Sequence, residues 1–233
     1  MPIRDDLVLR TIRQIAHVLA HLLGKRDQDA FERLLLELDA VYEGQLGMRR
    51  SLLHDLEGES LIAILSSTGT LDRDRAFLLS ELLRAEAIGL ATRDRPVPPE
   101  LRLKALNLAL AAADEDLDAE ELPDRIVEHQ EALAGADLPE PTLWRLFDHR
   151  VRRGGFAGAE DLLFEALERF GAGPDRIERG RAFYRDLRTR SDASLRRGGL
   201  PREEIEEGAA ALEARAEDAP PPARPGERGT NGP

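Results

Sequence analysis

Residues 154–167, GGFAGAEDLLFEAL, open with two glycines and an aromatic, then settle into an alanine-punctuated apolar rhythm. Half of a helical hairpin and a phosphate-cradling loop can both begin this way. A phosphate loop needs GxxxxGK[ST], or a strand followed by GxGxxG, and the chain has neither. The stretch is better read as half of a degenerate helical repeat. Gly154 or Gly155 ends one helix, Phe156 starts the next, and Ala159 and Ala166 recur seven residues apart on one face with Leu163 between them.

The rest of the chain follows the same punctuation. Val8, Ile12, Ile15, Leu19 and Leu22 form one amphipathic stripe across residues 5–23, which Gly24 ends. A second helix runs from about Asp27 to Leu46, with Phe31, Leu34, Leu35, Leu38, Val41 and Tyr42 on its buried face and Gly47 after it. A shorter helix covers 57–65 and stops at SSTGT. Asp72 is placed to cap a helix reaching about Ala91. Pro96, Pro98 and Pro99 then break the chain before a helix carrying Leu101, Ala105, Leu108 and Ala112. Further helices are expected from Asp118 through Leu133, over PTLWRLFDHRVRR, after the GAGP break with Ile177, Tyr184 and Leu187, and from about Pro201 to Glu217. The last residues, APPPARPGERGTNGP, hold no apolar side chain larger than Ala or Pro and are expected to be disordered.

Composition supports an all-α fold. The chain has 233 residues, 42% hydrophobic but only 4% aromatic, rich in good helix formers and poor in strand formers. Two helices at a time with Gly or Pro between them is the rhythm of antiparallel hairpins stacked as a short solenoid. The expected division is N-terminal hairpins over 1–95, further helices continuing them over 96–216, and a tail over 217–233.

Glycine closing the first helix, an aromatic opening the second, and alanines where the pair touches is also the pattern of tetratricopeptide hairpins. In order along the chain, DDLVLRTIRQIAHVLAHLLG, EGESLIAIL, RLKALNLALAA and LWRLFDHRVRRGGFAGAEDLLFEAL resemble a bacterial domain-of-unknown-function family with tetratricopeptide-like helices, over about residues 3–170. That resemblance implies an all-helical bacterial protein without an established activity, and brings no catalytic residues with it.

Charge and residue usage exclude several chemistries. The net charge of −12 disfavours general nucleic-acid binding, which rests on clustered cations. Charge is unevenly spread: residues 141–202 carry 14 Arg against 9 acids, while 1–140 carry 16 Lys and Arg against 28 acids. Absence of Cys removes disulfides, thiolate metal sites and cysteine nucleophiles, and fits a reducing, cytoplasmic setting. No apolar run approaches a membrane span, and no signal-peptide core is present, so no membrane association is expected.

The remaining constellations read as structural. His17 and His21 share a helix face at metal-compatible spacing but lack HExxH and a third ligand. Asp114, Asp116 and Asp118 imitate an EF-hand start, yet Ala119 replaces the glycine and Arg125 stands where the bidentate Glu belongs. No metal and no cofactor is expected. His129 falls on an apolar stripe and should be buried and hydrogen-bonded; Trp144 should be core. The arginine series Arg176, Arg179, Arg181, Arg185, Arg188, Arg190, Arg196 and Arg197 is either a solvated surface or a groove for an acidic partner.

The leading expectation is a non-enzymatic helical-repeat module binding a protein or acidic peptide through Arg145, His149, Arg152, Arg153 and Arg181. The alternatives are RNA or DNA binding through 141–202, and an enzyme centred on His149 with Asp148 or Glu160 as partner.

Overall fold

The computed structural model describes residues 10, 28–66, 69–113 and 122–218. All secondary structure among them is helical. The expected stripe over 5–23, His17, His21, the acidic run 114–118 and the tail beyond 218 lie outside the described residues. The chain divides into two compact units, Met1–Leu138 and Pro139–Pro233.

In the first unit, α1 (Gln28–Val41) runs on through a single π turn, Tyr42–Leu46, which Gly47 closes at φ +67°. Two short helices follow, α2 (Arg50–Asp55) and α3 (Gly58–Leu65). Next come α4 (Arg73–Ala91), α5 (Pro99–Ala113) and α6 (Leu122–Ala132). Asp72 caps α4 as its position predicted, accepting the Arg75 N–H at 3.2 Å.

The proline run at 96–99 forms the bend between α4 and α5, the most extensively packed pair among the described elements. Both helices are buried over most of their surface, so both are central: α4 buries Phe77, Leu78, Leu79, Leu82 and Leu83, and α5 buries every residue from Ala105 to Ala112. Gly89 lets α1 lie directly on α4, since a Cβ there would sit 2.8 Å from Leu34 Cδ2 and 2.9 Å from Phe31 Cε2.

Two carboxylates are buried in α4, and each is compensated, as burial of charge requires. Glu81 is held by Arg84 at 2.9 Å and faced by Arg125 at 3.3 Å, while Glu86 is met by His54 at 3.1 Å and Arg50 at 3.8 Å.

The second unit comprises α7 (Glu140–Arg153), α8 (Phe156–Phe170), α9 (Pro174–Thr189), α10 (Asp192–Arg197) and α11 (Arg202–Glu217). Gly154 ends α7 in the left-handed region, at φ +75°, and Gly155 N–H returns to Arg150 O at 2.9 Å. Phe156, Ala159, Leu163 and Ala166 are all buried along α8. The stretch 154–167 is therefore the turn and second half of a helical hairpin, as its sequence predicts.

Helices α9 and α11 make the second hairpin, joined by the short α10, which sequence periodicity did not reveal. Glu140 meets Arg176, Trp144 meets Arg179, and Phe147 meets Phe183, with both numbers rising together, so α7 and α9 run parallel. Likewise Glu160 meets Gly208 and Phe164 meets Arg215, placing α11 parallel to α8. The second hairpin thus repeats the direction of the first. Gly198 seals the junction: its carbonyl accepts the Ala157 N–H at 3.0 Å, and its bare α-carbon touches the Phe156 ring and Gly154 O.

Candidate interaction surface

Helix α7 has three flanks. Leu143, Leu146 and Arg150 turn toward α8, and Glu140, Trp144, Phe147 and Asp148 toward α9. Arg145, His149 and Arg152, spaced four and three apart, lie on the third flank, with Arg153 exposed beside them at the last turn. These four candidates therefore share one side of α7. Arg145 and Arg152 also have interactions within the protein.

Arg181 does not join them. It lies on the flank of α9 shared with Tyr184 and Arg188, turned toward α11, where Glu213 holds it in a bidentate pair at 2.8 and 2.5 Å. The five residues form no single site.

Most of the remaining arginine series is likewise neutralised internally. Arg176 grips Glu140 with two bonds of 2.6 and 2.8 Å, Arg179 meets Asp148 at 2.5 Å, Arg185 meets Glu178, Arg188 meets Glu206, and Arg190 meets Asp186. Arg196 and Arg197 stand exposed at the end of α10. The local excess of arginine is largely a set of clamps between helices and along them, a use to which the planar guanidinium fork is suited.

Trp144 is half-buried instead of core. Its ring lies at the edge of α7, where Arg179 stacks over it at 4.5 Å and its indole N–H donates to Glu140 at 3.0 Å. The aromatic faces a cation on the neighbouring helix and cannot also enter the apolar interior. Trp144, Glu140, Gly173–Arg176 and Arg179 line an open groove of about 270 Å³. Bonds from Arg176, first, and Trp144 draw the Glu140 carboxyl down to about 2.

His149 has its protonation pushed down to about 4 by burial first, and then by Arg152, Arg153 and Arg150, so its ring is neutral at pH 7. Neither carboxylate suggested as its partner is uncommitted. Asp148 holds Arg179, and Glu160 accepts the Tyr184 hydroxyl at 2.6 Å.

His129 is buried as expected, with Nε2 3.3 Å from the Ser80 hydroxyl, which itself donates to Ala105 O at 2.8 Å. Burial, aided by Arg84, lowers its protonation to about 4. Sequence reading missed the cluster of Tyr42, Arg50, His54 and Glu86, because its members come from three separate elements without a shared spacing. Among the described residues, no group of three or more His, Asp or Glu is arranged to hold a metal ion, and no helix is long and apolar enough to cross a membrane.

Residues 2–217 match a family of unknown function, DUF6483. The chain belongs to that family. The match embraces both units, including α9 to α11, which lie beyond the stretch of about 3–170 where the sequence resemblance was drawn. No curated protein and no solved structure matches the chain.

Proposed function

We propose that this DUF6483 protein is a non-enzymatic helical-repeat scaffold that binds another protein along the face presented by α7 and α9. The observation that carries this reading is the parallel stacking of successive hairpins in the second unit, with Glu140 on Arg176 and Phe147 on Phe183. Stacked hairpins of this kind touch mainly their neighbours and leave an extended face free, the working surface of tetratricopeptide-like solenoids.

The anchoring chemistry is mixed. The half-exposed Trp144, in the groove between α7 and α9, offers a large rigid surface of the kind enriched at interface centres. Arg145, Arg152 and Arg153 supply a basic flank on the same helix for an acidic segment of the partner. The bonding of most arginines between 141 and 202 to carboxylates weighs against a phosphate-backbone track there, and the prior engagement of Asp148 and Glu160 weighs against a His149-centred enzyme. A cytoplasmic setting accords with a chain that has no cysteine.

The test is affinity capture from a bacterial lysate, the setting the family resemblance implies, using wild type, Trp144→Ala and a triple Arg145→Glu, Arg152→Glu, Arg153→Glu variant. Nuclease-treated lysate runs alongside. A protein retained by wild type and lost with either variant supports the scaffold. Retention that disappears with nuclease replaces it with nucleic-acid binding, and identical capture by all three baits rejects this face.

A further inference from the structure

The hairpin of α9 and α11 carries a second groove, open to solvent and about 430 Å³ in volume, with Tyr184, Ala209, Ala210 and Leu212 among its lining residues. Its two walls have opposite charge. The α9 wall presents Arg181, Arg185 and Arg188, and the α11 wall presents Glu206 and Glu213. All five side chains are substantially exposed, Arg185 most of all at 62%.

The rungs of this ladder are in register. Arg181 pairs with Glu213 at one end and Arg188 with Glu206 at the other, as expected for antiparallel helices. A surface with a positive row beside a matched negative row has a simple complement, namely the same surface turned about a twofold axis. We propose that the α9/α11 groove is a homodimer interface, occupied by the α9/α11 hairpin of a second copy of this chain.

Charge selects one arrangement. A twofold axis parallel to the helices and running along the groove lays the arginine row of each copy over the glutamate row of the other. Because each pair already shares a level, the Arg181 level of one copy coincides with the Glu213 level of its mate without adjustment. Each in-chain pair then becomes half of an alternating four-charge cluster, one at each end of the groove. An axis across the helices would instead set arginine on arginine and glutamate on glutamate, which is repulsive. Such isologous contacts are the commonest way soluble chains pair. Ala209 and Ala210, between the two charge clusters, offer little steric bulk to the approach of the second copy's helices.

The experiment is sedimentation velocity on the full chain, from micromolar to millimolar concentration. It is run in about 0.01 M and about 1 M salt, between which the screening length falls from roughly 30 Å to roughly 3 Å. The expected result is a mass rising with concentration from 25.9 kDa toward twice that value at low salt, and reverting at high salt. Two double variants then separate this interface from any other. Arg181→Glu with Arg188→Glu makes every paired position of the groove acidic, and Glu206→Arg with Glu213→Arg makes every paired position basic. Each alone should remain monomeric, and an equimolar mixture should regain the two-chain mass.

Helicity by circular dichroism checks that both variants fold. If one does not, a spin label on Ala210→Cys in otherwise unaltered protein replaces the mixing test, since the chain has no other cysteine. A dipolar signal at high concentration and low salt supports the pairing. Wild type that stays monomeric throughout overturns the proposal, as do folded variants that self-associate like wild type, a mixture that fails to pair, or a spin label without a dipolar signal. The dimer and the scaffold fail separately, because Trp144 and the basic flank of α7 lie outside this groove.

Discussion

Glu160 on α8 accepts the Tyr184 hydroxyl at 2.6 Å, and both oxygen atoms lie against the backbone of Gly208 on α11. Three helices meet at a single hydrogen bond, with no room beside it for a side chain at position 208. Replacing Gly208 by Ala forces the pair apart or lifts α11, at an expected cost of about 1 to 3 kcal/mol despite the better helix propensity of Ala. A fall in the denaturant midpoint measures it. Gly44→Ala, where nothing lies within 4 Å of the added methyl, is the control and should leave stability unchanged or raise it by up to about 1 kcal/mol.

The same carboxyl makes stability depend on pH. Burial is the main cause raising the Glu160 carboxyl above its ordinary range, with the Tyr184 bond opposing it. A folded-state value above the unfolded one contributes stability that is fully present below the unfolded value and is lost as pH rises through the folded one. Glu160→Gln should therefore flatten the decline in unfolding free energy above about pH 4, while retaining a hydrogen-bond acceptor for Tyr184. A variant with the wild-type slope would place that decline elsewhere.

His129 works in the opposite sense. Its folded value near 4 lies below the unfolded 6.5, so its contribution is present above 6.5 and is lost as pH falls toward 4. The shift corresponds to about 3 kcal/mol across that interval. His149, also depressed to about 4, titrates over the same window and must be separated from it. In a His149→Gln background, the remaining acid loss should track the imidazole signals of His129 by NMR.

Most helix positions and the turn at 154–155 were legible because they follow from local rules; the six-residue α2 (Arg50–Asp55) was not expected. Asp72 needed only its own backbone neighbours to act as a cap, and Gly154 only its freedom at positive φ. The arginine surface was not legible in the same way. Sequence displays Arg181 and Glu213 as 32 residues apart, and only the antiparallel packing of α9 on α11 joins them. The same limit applies to Trp144, whose neighbour Arg179 comes from the next hairpin, and to α10, whose six residues are too few for a periodic signal. What remained hidden was the pairing of charges between helices, which sets a matched acidic row beside the basic one.

The packing of α11 on α9 rests on Gly180 and Leu212, and a double-mutant cycle can show it. A Cβ at position 180 would come within 2.8 Å of Leu212 Cδ2 and 3.2 Å of Leu163 Cδ2. Leu212 itself is 1% exposed, so Leu212→Ala alone should cost about 2 to 5 kcal/mol through lost burial and the cavity left behind. Gly180→Ala alone should cost about 1 to 3 kcal/mol through overpacking. Together they should cost less than the sum, because the methyl added on α9 occupies part of the space vacated on α11. A coupling of about 0.5 to 3 kcal/mol, read from urea unfolding of all four proteins, is the expected result. Strict additivity would mean that the two side chains do not meet, and that α11 is held by its exposed ion pairs instead of by this contact.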